Sequence, residues 1–392
     1  MPTSIYLDHN ATTPLAPEVL EAMLPYLRED FGNPSSIHRY GREAKAALQS
    51  AREAVAAFLS ASAAEIVFTA SGTESDNLAV LGVLGAEEDS PRPRRHLITS
   101  EIEHHAVLNV TRHLEKKGCA VTYLPVDRSG RVVEGSLRSA LRRDTLLVSI
   151  MTANNETGVI QPIEDLARIS HEAGALFHTD AVQACGKVPV DVLSTSVDLL
   201  SLSAHKFYGP KGVAACYVRK GTPFKPVLRG GGQERSRRPG TENVAGIVGL
   251  AEAAQRARAS LDEEAERLRG LRAELEASVL GRIGGSYLNG ENAPRTPNTA
   301  NFRFDGADGE DLVKQLDREG FAISTGAACS AGAIAPSHVL LAMGLTPQEV
   351  QGSIRVSLGR TTRAEDVQAF ADALRKAVEV SRAKQLSDRA SA

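Results

Sequence analysis

Residues 201–212 are Ser-Leu-Ser-Ala-His-Lys-Phe-Tyr-Gly-Pro-Lys-Gly. The apolar run before this segment predicts a buried strand that ends at His205-Lys206 and is followed by a Gly/Pro turn. A lysine directly after a buried strand loses hydration unless it is paired or used chemically. Burial favours the neutral amine, which is the form that makes a Schiff base. On this segment alone, a lysine whose head reaches solvent at the strand end is an equally good interpretation.

Short apolar runs of this kind recur along the first two-thirds of the chain. They predict seven strands, over residues 65–69, 97–100, 120–124, 145–151, 175–179, 199–203 and 213–218. Helical spacing separates several of them, as over residues 162–172. Strands that alternate with helices predict an α/β fold with a mostly parallel seven-stranded sheet covered on both faces. Ligands of such sheets bind at the carboxyl ends of the strands, where Lys206 is expected to lie.

The sequence changes character near Gly246. Residues 251–280 are rich in Ala, Glu, Arg and Leu and predict one long helix that leads into a smaller α+β domain. There we expect a strand over 298–304, helices over 310–319 and 364–381, and a frayed end over 384–392. The predicted domains are an N-terminal segment that joins the small domain, a large domain and the small domain itself, over residues 1–15, 16–250 and 251–392.

The composition of the chain is that of an ordinary globular protein. The 392 residues are 42% hydrophobic and 24% charged, with a net charge of -3, which is ordinary for a globular protein and gives no support for a nucleic-acid partner. We find no apolar run of about 18 residues and no signal peptide, so we expect no membrane partner and a cytoplasmic location. The four cysteines contain no C-x-x-C pair, so a disulfide framework is not expected.

Polar residues also follow other predicted strands. Asp180 comes directly after residues 175–179, and a carboxylate there could pair with the pyridinium nitrogen of pyridoxal phosphate (PLP). Gln183, just beyond, could donate to the phenolic oxygen of the same ring. Taken alone, Asp180 is better interpreted as a helix N-cap. Arg355 lies in an alternating strand pattern and could grip the carboxylate of an amino acid, although a surface arginine is an equal alternative.

Two further segments could hold a cofactor. Residues 69–77 predict a strand end, a Gly turn and a helix start, where the backbone N–H groups of Gly72 and Thr73 could bind a phosphate. Many helices begin this way without a ligand. His104 could lie flat against a cofactor ring or move protons. A metal site is not expected, because histidines and cysteines at ligand spacing are absent from the sequence.

The cysteines differ in their surroundings. Cys329 lies in residues 324–336, which are almost all small and end at a proline, a composition that predicts an exposed loop. An exposed cysteine is a liability unless its thiolate is used. Cys119 and Cys216 lie in apolar segments and are expected to be buried. Cys185 is expected to pack behind the strand end at residue 180.

Together and in this order, these motifs resemble the NifS/IscS-type cysteine desulfurases, in the class V branch of the fold-type I PLP enzymes. The resemblance runs from Tyr6 to Thr362, nearly the whole chain. The stretches that carry it are Tyr-Leu-Asp-His-Asn-Ala-Thr-Thr-Pro (6–14), Phe-Gly-Asn-Pro-Ser-Ser-Ile-His (31–38), Asn-Asn-Glu-Thr-Gly (154–158), Gly-Gly-Gly-Gln-Glu-Arg (230–235), Gly-Thr-Glu-Asn (240–243) and Pro-Ser-His-Val-Leu (336–340).

The resemblance implies a role in cofactor binding for most of these residues. Lys206 would bind PLP as a Schiff base and then act as the proton-transfer base. Asp180 would pair with the pyridinium nitrogen and Gln183 with the phenolic oxygen, while His104 would stack on the ring and assist proton transfer. The phosphate ligands would be Thr73, Ser203 and His205, with Thr241 added from the second subunit of a homodimer.

The resemblance also implies the reaction. L-Cysteine would be bound through its carboxylate by Asn155 and Arg355, with help from Asn33, and L-alanine would be left. Cys329 would attack the substrate sulfur, become a persulfide and pass the sulfur to an acceptor protein such as an iron–sulfur scaffold. Pro336 follows well after Cys329, which resembles the long-loop group that includes NifS and IscS.

Three other functions stay open at this point. A selenocysteine lyase shares the fold and most of these residues. In another class V aminotransferase, Cys329 would be incidental. A sulfur-relay scaffold with a vestigial cofactor site is disfavoured, because Lys206, Asp180 and Arg355 are all present.

Overall fold

The computed structural model describes residues 4–325 and 336–391, with side chains as far as residue 387. The helices are α1 Pro17–Arg28, α2 Arg39–Phe58, α3 Gly72–Glu87, α4 His105–Lys116, α5 Glu134–Ala140, α6 Ile163–Glu172, α7 Val192–Thr195, α8 Gln233–Ser236, α9 Val244–Ala259, α10 Leu261–Arg282, α11 Gly309–Arg318, α12 His338–Ala342, α13 Pro347–Gln351 and α14 Ala364–Ser391. The strands are β1 Ile5–Tyr6, β2 Ile66–Thr69, β3 His96–Ser100, β4 Ala120–Leu124, β5 Thr145–Ser149, β6 Leu176–Asp180, β7 Leu199–Ser203, β8 Ala214–Val218, β9 Ser286–Leu288, β10 Thr299–Phe304, β11 Phe321–Ala322 and β12 Ser353–Ser357.

The seven predicted strands form one sheet in the order β2-β8-β7-β6-β5-β3-β4. Strand β8 is antiparallel to both of its neighbours, and the other pairings are parallel. Strands β3, β5 and β7 are buried along their whole length, as expected for inner strands of a sheet covered on both faces. The predicted α/β class with a mostly parallel seven-stranded sheet is therefore confirmed.

The strand order brings the candidate residues to one edge of this sheet. Strands β6 and β7 run parallel, with Asp180 opposite Ser201, so both end on the same side. Strand β2 is antiparallel to β8, which is antiparallel to β7, so β2 also ends on that side. Helix α3 begins directly after β2, and the 3₁₀ turn Ala204–Lys206 directly after β7. This edge is where the site lies.

A second, antiparallel sheet lies in the C-terminal third of the chain, in the order β12-β10-β9. Its core contains Leu268, Leu275, Phe302 and Phe370 and is separate from the clusters that pack on the large sheet. Strand β1 pairs in parallel with β11, which ties the N-terminal segment to this part of the chain. The expected strand and helix over 298–304 and 310–319 are both present.

Two expectations about helices are wrong. The single helix expected over 251–280 is two helices, α9 and α10, that meet at Ser260. The break falls where the chain passes from one core to the other, since Leu250 and Ala254 of α9 pack with the large sheet, and Leu268 and Leu275 of α10 pack with the small one. The end expected to fray from residue 384 continues instead as α14 to Ser391.

None of the helices in the described parts of the chain combines the length and apolar character needed to cross a membrane.

Candidate functional site

A cavity of about 450 Å³ opens at the carboxyl edge of the large sheet. Its size is that of a site for a small molecule or cofactor. The predicted site residues that line it are Gly72, Thr73, His104, Asn155, Asp180, Gln183, Ser203, His205, Lys206 and Arg355. The fold thus brings ten residues that are scattered over the sequence to one cavity.

Lys206 lies at the base of this cavity in the turn after β7. Its Nζ donates to the backbone oxygens of Asn10 and Ala11, at 2.7 and 2.8 Å. Burial and the nearby Arg355 charge lower the pKa of Lys206 to about 8, although Asp180 and Asp8 oppose the shift. The amine is therefore neutral in a substantial fraction of molecules near physiological pH, and the neutral amine is the nucleophilic form.

Asp180 lies at the end of β6. Its Oδ1 accepts from the backbone N–H of Val182 at 2.9 Å. Burial raises the pKa of Asp180 to about 6, while this hydrogen bond and the charge of Lys206 act in the opposite direction. A buried carboxylate with so few donors is suited to the N–H of a cationic aromatic ring.

A second carboxyl, that of Asp76 on α3, lines the same cavity. Its Oδ1 is buried and has no hydrogen-bond partner among the described residues. Burial, followed by the charge of Asp180, raises the pKa of Asp76 well above its usual value, which favours the protonated acid. His178 lies beneath, hydrogen-bonded to Ser149 Oγ at 2.8 Å, and burial lowers its pKa to about 3. Asp76 and His178, two titratable groups near Asp180 on this side of the cavity, are therefore both neutral.

The start of α3 forms a cradle at one end of the cavity. Ser71 caps the helix by accepting from Glu74 N at 3.1 Å, and a Cβ added at Gly72 would lie 2.8 Å from Val182 Cγ2. The helix N-terminus and the side chains of Thr73 and Ser203 offer donors to an anion here. A phosphate group fits such a cradle.

His104 and His205 are neutral at physiological pH. Burial and the charge of Lys206 lower the pKa of each ring to about 4. His104 is the N-cap of α4, and its Nδ1 accepts from Ala106 N at 3.1 Å, which leaves the proton on Nε2. His205 Nδ1 lies 3.1 Å from Thr12 Oγ1. A neutral ring at position 104 can contact another aromatic ring without charge repulsion.

Arg355 projects from β12 into the cavity and is held on two sides. Its Nη2 donates to Asp8 Oδ1 at 2.7 Å, and its Nη1 donates to the backbone oxygen of Asn155 at 3.0 Å. Its Nε is buried without a hydrogen-bond partner in the described part of the chain. The two Nη atoms together carry four N–H groups, of which these two bonds use one each, so the guanidinium keeps N–H donors that a substrate carboxylate could take up.

Three predicted site residues are not among those that line the cavity. Asn33 is exposed, and its Oδ1 accepts from Ser35 N at 2.9 Å. Thr241 is also exposed. Cys329 lies outside the described residues. The structure therefore tests none of their predicted roles. The burial expected for Cys119 and Cys216 is confirmed, and Cys185 is buried as well.

Sequence reasoning missed the residues that support the site. Asn10 and Asp8 belong to a stretch that was singled out only for its resemblance, and Lys187 was not singled out at all. Asn10 accepts from Lys206 and Gln183 through its backbone oxygen, and Lys187 donates to Gln183. One sequence signal could have pointed to Lys187. It follows Gln183 by four residues, a spacing at which two side chains are neighbours when the chain makes a helical turn.

The residues present fit PLP, judged by their own chemistry. A buried amine of lowered pKa, a buried carboxylate with spare acceptor capacity and an anion cradle line the same cavity. These are the groups that the aldehyde, the pyridine nitrogen and the phosphate of PLP require.

Comparison with known proteins agrees with this fit. The family described as Aminotransferase class-V matches residues 5–370. The chain is 50% identical to "Cysteine desulfurase IscS" of Dictyoglomus turgidum over 97% of its own length and 95% of that protein. A solved structure named "NIFS-LIKE PROTEIN" superposes with a TM-score of 0.90 at 40% identity, over 96% of this chain and all of the other. "SspA in complex with cysteine" gives a TM-score of 0.79 at 38% identity, over 91% and 99% of the two chains. The chain therefore belongs to the class V aminotransferase family, a family of PLP enzymes, and within it to the NifS/IscS-type cysteine desulfurases.

Proposed function

We propose that this protein is a PLP-dependent cysteine desulfurase that converts L-cysteine to L-alanine and passes the sulfur on through Cys329. The observation that carries the proposal is that Lys206, Asp180 and Arg355 line one cavity. Lys206 would supply the amine that holds the cofactor, Asp180 the partner of the ring nitrogen, and Arg355 the group that binds the substrate carboxylate. The identity of 50% to a protein named cysteine desulfurase supports the choice of L-cysteine as substrate.

Each part of the cofactor has a partner among these residues. Lys206 would hold the aldehyde carbon, Asp180 the pyridine nitrogen and Gln183 the phenolic oxygen. The start of α3 at Gly72 and Thr73, together with Ser203 and His205, would hold the phosphate, and His104 would cover the ring. When bound, PLP supplies an electron sink that acidifies the α-carbon of an attached amino acid.

The chain's own residues supply binding and proton transfer. Arg355 and Asn155 would hold the substrate carboxylate, with Asn33 as a further predicted contact. Lys206, with its pKa lowered to about 8, can both accept and release a proton near neutral pH. The neutral His104 ring, with its proton on Nε2, could assist that transfer.

A single thiolate, that of Cys329, is sufficient as the nucleophile for sulfur transfer. The Cys329 thiolate attacks the substrate sulfur, so that an S–S bond forms and the C–S bond breaks. The electron pair of the broken bond stays on the carbon side, which takes up a proton and leaves as alanine. Cys329 is then a persulfide, and a thiol reductant or an acceptor protein removes the outer sulfur.

The proposed assembly is a homodimer in the cytoplasm, in which Thr241 of the partner subunit adds to the phosphate site. Thr241 is exposed and does not line the cavity of its own chain, which supports a contact with the cavity of a second subunit. The proposed acceptor is a protein such as an iron–sulfur scaffold. The sequence predicts the boundary between the large and small domains after residue 250; we propose that it lies at Ser260, where α9 ends, because Ala254 and Ala257 pack with the large sheet. We also propose that residues 1–15 join the small domain through β1.

Release of alanine and sulfide from L-cysteine with a thiol reductant tests the proposal. The wild-type protein loaded with PLP should form the two products in equal amounts. Lys206→Ala should form neither, because the amine that holds the cofactor and moves the proton is gone. Equal rates in the wild type and in Lys206→Ala, or alanine without sulfide, would overturn the proposal.

A further inference from the structure

Lys187 is a buried lysine behind the cavity that the proposed reaction does not use. It is 7% exposed and follows Gln183 by one turn in the segment after β6. Its Nζ donates to Gln183 Oε1 at 2.6 Å and to Asn10 Oδ1 at 3.0 Å. A buried amine needs such partners, because burying it without hydrogen bonds costs its hydration free energy with nothing to offset the loss.

The contact decides which way the Gln183 amide faces. The oxygen and nitrogen of an amide are nearly interchangeable in shape, so their order follows from the neighbouring donors and acceptors. An ammonium has three N–H groups and a neutral amine has two, so Lys187 donates to both oxygens in either state. Gln183 Oε1 faces Lys187 and accepts from it, and Nε2 lies on the other side of the amide, where it donates to the backbone oxygen of Asn10.

Asn10 fixes the other side of the same amide. Its backbone oxygen accepts from Gln183 Nε2 at 2.9 Å and also from Lys206 Nζ at 2.7 Å. Its side-chain oxygen accepts from Lys187 and from Asn298. One N–H of Gln183 is used by Asn10, and the second remains for the cavity that Gln183 lines.

We propose that Lys187 is a positioning residue that keeps an N–H group of Gln183, and not its oxygen, available to the cavity. This inference rests on the proposed function, in which Gln183 contacts the phenolic oxygen of PLP. With an N–H there, Gln183 stabilises the negatively charged oxygen. With the amide reversed, two acceptors would face each other and weaken cofactor binding.

The affinity of the cofactor-free protein for PLP, measured by titration without cysteine, tests the inference. Lys187→Met removes the donor but keeps most of the side-chain volume, and should raise the PLP dissociation constant at least about tenfold. In a Gln183→Ala background, the same substitution should change the dissociation constant by less than about twofold, because the amide through which Lys187 acts is absent. Equal losses in both backgrounds would mean a general packing defect and would overturn the inference.

Asn298→Ala is the matched control, because Asn298 donates to the same Asn10 oxygen at 3.1 Å without holding Gln183. It should keep the PLP affinity within about twofold of the wild type. If Lys187→Met does not fold, Gln183→Glu tests the same contact from the other side. It keeps an acceptor for Lys187 and removes the N–H, so PLP binding should again weaken at least about tenfold. Wild-type affinity in Gln183→Glu would overturn the assigned amide orientation. Failure of the wild type itself to bind PLP would overturn the proposed function, and this inference with it.

Discussion

Nη2 of Arg355 donates to Oδ1 of Asp8 at 2.7 Å, which joins residues at opposite ends of the chain. The two side chains are 7% and 19% exposed, so the pair is largely shielded from water. Asp8 follows β1, and Arg355 lies in β12. The ion pair therefore sets the direction of the guanidinium that faces the substrate and makes the N-terminal segment part of the site.

Replacing Arg355 by Lys should weaken substrate binding more than turnover. A lysine keeps the positive charge but lacks the planar pair of donors that grips a carboxylate. We expect KM for L-cysteine to rise roughly ten- to hundredfold with a smaller change in kcat, as steady-state kinetics would show. Arg360→Lys is the control, because Arg360 lies over the Tyr208 ring at 4.4 Å and is not among the residues that line the cavity at the carboxyl edge of the large sheet. An unchanged KM in Arg355→Lys would remove Arg355 from the substrate site.

Uptake of PLP by the cofactor-free protein should depend on pH through Lys206. Only the neutral amine attacks the aldehyde, and the pKa of Lys206 is lowered to about 8, so the rate should rise with a midpoint at about pH 8 and level off at higher pH. Arg355→Gln removes the charge that is the second cause of this shift, so its midpoint should move to higher pH. Stopped-flow absorbance measures both. A midpoint in the wild type near about 10.4, the value for an exposed lysine, would contradict the buried environment.

Gly72→Ala should weaken PLP binding for steric reasons. The added Cβ would lie 2.8 Å from Val182 Cγ2, closer than side chains pack, so Val182 must shift beside Asp180 and Gln183. Gly85→Ala in the same helix α3 is the control, since its Cβ meets only Lys225 Cβ at 3.7 Å. There, alanine should stabilise the helix by about 0.5–1 kcal/mol and leave binding unchanged. Equal PLP affinity in the two variants, measured by titration, would show that the start of α3 is not a tight cradle.

Glu103 should make the protein less stable as pH rises. It is fully buried, and burial raises its pKa to about 8, even though Ser100 Oγ and Met151 N donate to its carboxylate. A folded-state pKa above the unfolded value contributes stability that is complete below the unfolded pKa and is lost as pH rises through about 8. Between about pH 5 and 8, this loss amounts to at most about 1.4 kcal/mol for each pH unit.

Glu103→Gln cannot ionise and should flatten the decline in the free energy of unfolding, measured by urea titration at several pH values. Glu101→Gln, at a neighbouring exposed position, should leave the decline as it is in the wild type. An identical slope in the wild type and in Glu103→Gln would mean that Glu103 does not take up its proton in this range.

The large sheet and most of the cavity could be predicted because their signals are local. Apolar runs mark the strands, and parallel strands deliver their carboxyl ends to one edge, so Asp180, Ser203 and Lys206 meet without any knowledge of side-chain packing. The start of α3 follows from the same rule. Local sequence patterns thus place these residues at one edge, whereas the roles of Asp180 and Ser203 came from the family resemblance.

The parts that could not be predicted depend on contacts between distant segments. Residues 251–280 have high helix propensity throughout, and the break at Ser260 coincides with the change from the core of the large sheet to that of the small one. Asn10 and Lys187 look ordinary in sequence, and their role appears only when the N-terminal segment crosses the cavity. Asp76 was hidden for the same reason, because a helical aspartate gives no sequence signal that it is buried.

The most direct test of the proposed function compares the wild type with Cys329→Ala, both loaded with PLP and given L-cysteine and a thiol reductant. Cys216→Ala serves as control, since Cys216 is fully buried in β8. We expect equal amounts of alanine and sulfide from the wild type and from the control, and neither product from Cys329→Ala although its cofactor absorbance persists. Sulfide release by Cys329→Ala at the wild-type rate would contradict the proposal that Cys329 receives the sulfur.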